Sequence, residues 1–311
     1  MNIESAGQFI YRNARPLEFA RWRYLFENGT QEEVLRILAA YQNEDGGFGH
    51  GLEPDCWNMV SSPIQTWAAT EIVREVGLKD AAHPIIRGIL RYLGSASDFN
   101  GHVWLQTIPS NNDCPHAPWW SYVPSQEPTY NPTASLAGFL LKYAGRESEL
   151  FATGVRLAKE AYAFFRTNAP MDSMHTVSCF VELYEDLEEL DRNGDIDMGE
   201  FRDLLQQQIR HVLTWDTSVW STEYACKPSL FIHSKDSPFY PQNKELCDFE
   251  CEFLSQTQEE DGTWKITWEW ENDPEQWHIS KNWWKSDLIL KNVKFYKAMK
   301  EGSIINVGVR Q

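Results

Sequence analysis

Apolar positions recur at intervals of three and four residues along most of the chain, as in E-E-V-L-R-I-L-A-A-Y and E-F-R-D-L-L-Q-Q-Q-I-R-H-V-L. This is the period of an α-helix with one face turned inward. It predicts helices over 2–13, 15–27, 31–42, 62–77, 83–95, 132–145, 149–167, 173–190, 199–214, 226–235, 243–258 and 281–300. No stretch alternates with a period of two, so the expected fold class is all-α.

The predicted helices alternate in character. One kind has a polar side; the other, such as P-I-Q-T-W-A-A-T-E-I-V and P-T-A-S-L-A-G-F-L-L, is richer in small and apolar residues. Pro16, Pro63, Pro132 and Pro228 open four segments of the second kind, where the missing N–H costs nothing. A helix covered on both sides suits the second pattern, and one with a wet face the first. Six alternating pairs suggest an (α/α)6 toroid of about twelve helices, one domain over residues 1–311, with inner helices sheathed by outer ones. A solenoid would show a more regular repeat length.

In that arrangement the outer-to-inner connections, about 43–61, 96–131, 215–225 and 259–280, are long, and long connections in compact domains are usually functional. They share one rim at the N-termini of the inner helices. The rim carries Trp57, Trp104, Trp119, Trp120, Trp220, Trp264, Trp268, Trp270 and Trp277 with His50, His102, His116 and His278, the expected mouth of a binding site.

Composition narrows the partners. A net charge of −17 with no Lys/Arg cluster argues against nucleic acid and anionic membranes, since both require a basic face. No run approaches the ~20 apolar residues of a membrane span, and the N-terminus lacks a secretory pattern. Six cysteines without framework spacing fit free thiols in a reducing compartment. The expectation is a cytoplasmic protein with a small-molecule substrate. Fourteen tryptophans would give any cavity aromatic walls.

Two short stretches repeat: Gln42-x-x-Asp45-Gly46-x-Phe48 and Gln258-x-x-Asp261-Gly262-x-Trp264, each ending a predicted outer helix. They resemble the QW repeats of the terpenoid cyclase and protein prenyltransferase toroid superfamily. Physically, the glutamine can hydrogen-bond helix-end carbonyls, the glycine permits a left-handed turn, and the aromatic packs across the junction. The resemblance implies a toroid enzyme acting on an isoprenoid or other hydrophobic substrate, with acid-initiated chemistry in an aromatic cavity, and Mg2+ if that substrate is a diphosphate. The squalene-hopene-type string D-x-D-D-T-A is absent; the comparable place reads L-E-P-D-C-W-N. D-D-x-x-D is absent too.

Candidate chemistry follows from residue type and place. Asp55 and Glu53, two apart beside His50, are candidate catalytic acids, because burial or mutual repulsion would raise one of them. Asp113 in N-N-D-C-P-H is a third. No metal site is expected: Asp113, Cys114 and His116 are crowded into one stretch, where adjacent side chains rarely converge on one ion. Candidate substrate contacts are His50, Trp57, His116, Trp119, Trp120, His175, Trp268, Trp270, His278, Trp283 and Trp284. Arg15, Arg21 and Arg23 on a barrel helix would require acidic partners. The run Asp191 to Arg202 resembles a calcium loop but has Ile196 where glycine is needed and Arg202 where glutamate is needed, so it reads as a turn. Two alternatives stand beside the isoprenoid enzyme: an intracellular carbohydrate-active enzyme using a carboxylate pair, since tryptophans stack on sugars as well as on cations, and a non-catalytic ligand-binding toroid.

Overall fold

A computed structural model describes residues 1–124, 129–190 and 195–301. Among these residues there are eleven α-helices and no β-strand, only isolated antiparallel bridges. The helices are α1 Ile3–Asn13, α2 Pro16–Phe26, α3 Gln31–Leu38, α4 Pro63–Glu75, α5 Pro84–Gly94, α6 Thr133–Tyr143, α7 Glu149–Asn168, α8 Met174–Glu189, α9 Met198–Val212, α10 Tyr240–Thr257 and α11 Pro274–Glu301. None of them is long and apolar enough to cross a membrane.

The predicted helix over 226–235 does not form; the segment holds only a 3-10 turn, Pro228–Leu230. Its backbone is recruited by a side chain instead. The N–H and hydroxyl of Ser229 both donate to the buried carboxyl of Glu250 on α10 (2.9 and 2.5 Å), and Phe231 and Ile232 are fully buried. The last helix begins at Pro274, seven residues before the expected start, with proline again in the first turn. Residues 191–194 of the calcium-like run lie outside the described residues.

The chain divides into two compact units. The first comprises residues 1–30, 212–269 and 278–311; the second comprises 31–211 and 270–277.

In the second unit, α6 packs against both α7 and α8, and Thr133 to Leu140 and Tyr143 are all buried. That is the environment its apolar circumference calls for. Starts are marked by caps: the hydroxyls of Ser62, Ser148 and Ser173 accept the N–H of Gln65, Phe151 and Thr176 at the heads of α4, α7 and α8, satisfying one of the four free donors there. An aromatic cluster of Tyr130, Tyr162, Phe165, Phe180, Tyr184 and Phe201 ties α7, α8 and α9 together, with centroids 4.6 to 6.1 Å apart.

The first unit pairs α1 with α2. Its buried arginine has the acid partner its burial demands: Arg21 meets Asp287 on α11 at 2.9 Å. Arg15 pairs with Glu18 at 2.6 Å.

The two repeated motifs fold alike, one in each unit. Gln42 donates to the carbonyls of Gly46 (2.9 Å) and of Ile85 in the first turn of α5 (3.2 Å). Gln258 donates to those of Gly262 (3.1 Å) and of Asn2, the N-cap of α1 (2.9 Å). Asp45 and Asp261 each accept the backbone N–H two residues on. Both glycines have positive φ. The motif is therefore a staple joining one helix end to the head of another helix.

Candidate functional site

The loops that carry most of the sequence-derived candidates form a buried fabric in the second unit. Residues 53–57 run against 115–117: Trp57 N–H donates to Pro115 O (3.0 Å), Ala117 N–H to Asp55 O (2.8 Å), and Cys56 bridges to His116. Asp55 and Glu53 are 2 % and 8 % exposed. Glu53 accepts the N–H of Asp55 (2.8 Å), and Asp55 accepts the indole N–H of Trp270 (2.9 Å). Trp270 stacks on Trp277 at 5.7 Å. The His116 ring bonds to Cys114 O and Ser121 Oγ, and its carbonyl accepts from Asn272. The carbonyl of the buried Trp120 accepts from Asn111, itself bonded by Asn58. The two acids therefore hold backbone and indole donors.

Other candidates lie apart from that fabric. His50 is exposed, at φ 61°, and bonds Asn43. Asp113, Trp119, His175 and His278 are exposed. In the first unit Trp268 and Trp284 meet edge to face at 5.3 Å, with Tyr224 against Trp268, while Trp283 lies under the Arg15 guanidinium at 4.8 Å.

A cavity of about 210 Å³ opens in the second unit among α4, α6 and α8. It is lined at the last turns of α4 and α6 by Arg74, Lys142 and Tyr143, by Gly77 to Lys79 just beyond α4, and by one stripe of α8: Glu182, Glu185, Asp186 and Glu189. The stripe follows the helical i, i+3, i+4, i+7 spacing. None of these residues was among the sequence-derived candidates. The spacing V-E-L-Y-E-D-L-E-E was the available signal, and it looks like an ordinary solvated face until α4 and α6 are placed over it.

Arg74 organises the wall. One guanidinium nitrogen reaches Glu71 (2.8 Å) and lies 3.9 Å from Glu182; the other reaches Asp186 (2.7 Å) and the carbonyl of Ser135 (3.2 Å). Gly138 makes room for this, since a Cβ there would lie 2.5 Å from the Asp186 carboxylate. Lys142 pairs with Glu189. Glu182 accepts the indole N–H of Trp67 at 3.1 Å; burial, with Glu71 nearby, raises its carboxyl well above the usual range. Glu185 has no hydrogen bond or ion pair among the described residues, and burial, reinforced by Asp186 and Glu71, pushes its carboxyl up to about 7. A carboxyl titrating near neutrality beside charged partners has the property of a general acid.

No family model matches the chain, and neither a curated protein nor a solved structure matches it.

Proposed function

We propose that the protein is an acid–base enzyme acting on a carbohydrate in the α4–α6–α8 cavity. The observation that supports this reading is Glu185, a carboxyl without a partner among the described residues, pushed up to about 7 in a cavity that also carries Arg74, Lys79, Lys142, Glu182, Asp186 and Glu189. At neutral pH such a group is partly protonated and suited to protonate a leaving oxygen, while Asp186, pinned by Arg74, supplies a second carboxylate. So many charged side chains around one small cavity, beside Leu78 and Tyr143, suit a hydroxylated ring with one apolar face better than an isoprenoid. The volume is below the ~300–1,000 Å³ of drug-sized sites, which suits a single ring or a chain end.

The proposal keeps the (α/α)6 toroid as its architecture, on the strength of the two equivalent glutamine staples and the alternation of helix types. Those staples are also what favours the isoprenoid reading, in which Asp55, Glu53 or Asp113 starts the reaction, with Mg2+ where the substrate is a diphosphate.

One screen separates the two. Aryl glycosides and short oligosaccharides are offered beside farnesyl and geranylgeranyl diphosphates with Mg2+, to the native protein, Glu185→Gln and Asp55→Asn. Sugar turnover that falls about 10²–10⁴-fold in Glu185→Gln, the usual contribution of a general acid, supports the proposal. A cyclised isoprenoid lost only in Asp55→Asn overturns it.

A further inference from the structure

We propose that the α4–α6–α8 cavity selects a ligand bearing a protonated amine, an amino sugar, and seats the ammonium group between Glu182 and Glu185. This rests on the carbohydrate reading and deepens it.

The argument is one of charge pairing. The cavity wall carries four carboxyl groups, Glu182, Glu185, Asp186 and Glu189, and three cations, Arg74, Lys79 and Lys142, with Glu71 just behind Arg74. The cations with the closest contacts are committed elsewhere. Arg74 serves Glu71 and Asp186. Lys142 serves Glu189 and lies 3.8 Å from Asp186. Lys79 is exposed. Glu182 receives the Trp67 indole at 3.1 Å, lies beside the Ser135 hydroxyl and has Arg74 at 3.9 Å, and Glu185 receives nothing among the described residues. Both acids lie one helical turn apart on α8, facing the same space.

A cavity in this condition discriminates by charge. An anionic ligand would meet four carboxyl groups and find the nearer cations already paired. A neutral sugar leaves Glu182 and Glu185 as they are. An ammonium group brings three N–H donors and one positive charge to Glu185, which has no cation partner among the described residues, and to Glu182, whose Arg74 is 3.9 Å away and held more closely by Glu71 and Asp186; charge-assisted bonds of this kind are roughly twice as strong as neutral ones. The exchange balances: one ammonium enters, the raised Glu182 carboxyl ionises to meet it and its proton leaves to solvent, while Glu185 keeps its own proton and accepts through its carbonyl oxygen. Trp67, half-buried and oriented by its bond to Glu182, holds that carboxyl in place.

The test is calorimetric titration of the full chain with glucosamine, glucose and glucuronate near neutral pH, in two buffers of different ionisation enthalpy. Glucosamine is expected to bind at least about ten-fold more tightly than glucose, as one charge-assisted bond pair would give, with glucuronate weakest. Proton release is expected for glucosamine alone. Glu182→Gln should erase both the preference and the proton release while leaving the fold intact by circular dichroism. Equal binding of glucose and glucosamine overturns the amine inference and leaves the carbohydrate reading standing. Failure of all three sugars to bind overturns both.

Discussion

The indole N–H of Trp270 donates to the carboxylate of Asp55 at 2.9 Å, joining residues 215 apart in sequence, both within the second unit. Both side chains are buried. The bond pins the 270–277 segment to the loop that follows the first glutamine staple.

Trp270→Phe keeps an aromatic side chain, smaller than the indole, and removes the N–H that Asp55 accepts. The expected cost is about 1–3 kcal/mol, read from urea unfolding. Asp55→Asn keeps an acceptor at that position and should cost less. A loss under about 0.5 kcal/mol for Trp270→Phe, the range of a neutral surface change, would mean the bond contributes little.

The staple demands glycine where two backbones meet. A Cβ on Gly88 would collide with the Gln42 carboxamide, and one on Gly46, at φ 95°, with the carbonyl of Gly88. Gly88→Ala should therefore destabilise by more than the roughly 1 kcal/mol of a typical substitution. Adding Gln42→Ala should recover part of the loss, because neighbours in contact are not additive. Simple additivity in the double variant would dismiss the steric account.

Arg74→Met strands Glu71, Glu182 and Asp186 without their shared cation. Breaking a buried ion pair from one side costs about 3–5 kcal/mol, and the partial exposure of Arg74 places the expectation at the lower end. Thermal unfolding of Arg74→Met and of Gly138→Ala, which crowds Asp186, should show both melting early. If only Gly138→Ala does, packing rather than charge holds the wall.

Burial pushes the carboxyls of Glu185 and Glu250 up to about 7. For each, the folded state binds a proton more tightly than the unfolded chain, so the stabilising contribution is present below the usual 4.5 and is lost as pH rises through about 7. Unfolding free energy should accordingly fall between about pH 4.5 and 7 and level off above that, by up to about 3 kcal/mol per group at 1.36 kcal/mol per pH unit. Glu250→Gln should flatten that slope. A profile that rises over the same window would contradict the assignment.

Thiol reactivity gives an independent check on the loop fabric. The Cys114 thiol is pulled below its ordinary value by a hydrogen bond from Cys56, whose own thiol is pushed up by that bond and by burial. Cys56, Cys179, Cys226, Cys247 and Cys251 are buried, whereas Cys114 is half-buried. Alkylation of the folded protein followed by peptide mass mapping should modify Cys114 first, since the thiolate is the nucleophile. Labelling led by any other cysteine would refute the arrangement of residues 53–57 against 115–117.

Most helices were legible because their signals are local. Periodicity, Ser caps and leading prolines act within a turn or two, and the apolar circumference of Thr133 to Tyr143 announced a helix covered on every side. The segment 226–235 misled because its competing partner, Glu250, sits about twenty residues away on another helix. Among the site residues, the tryptophans and acids of the loops were found by type, but Asp55 and Glu53 turned out to be occupied by donors that no spacing reveals.

The helical class, the two glutamine staples and the need for acidic partners near Arg15 and Arg21 follow from the order of residues alone, as consequences of short-range chemistry or of the cost of burying charge. That Glu182, Glu185, Asp186 and Glu189 line a cavity rather than a wet face is settled by packing between distant segments. The reason is physical: a carboxyl group's behaviour depends on what is packed over it, and α4 and α6, with Arg74 and Lys142, reach α8 through folding alone.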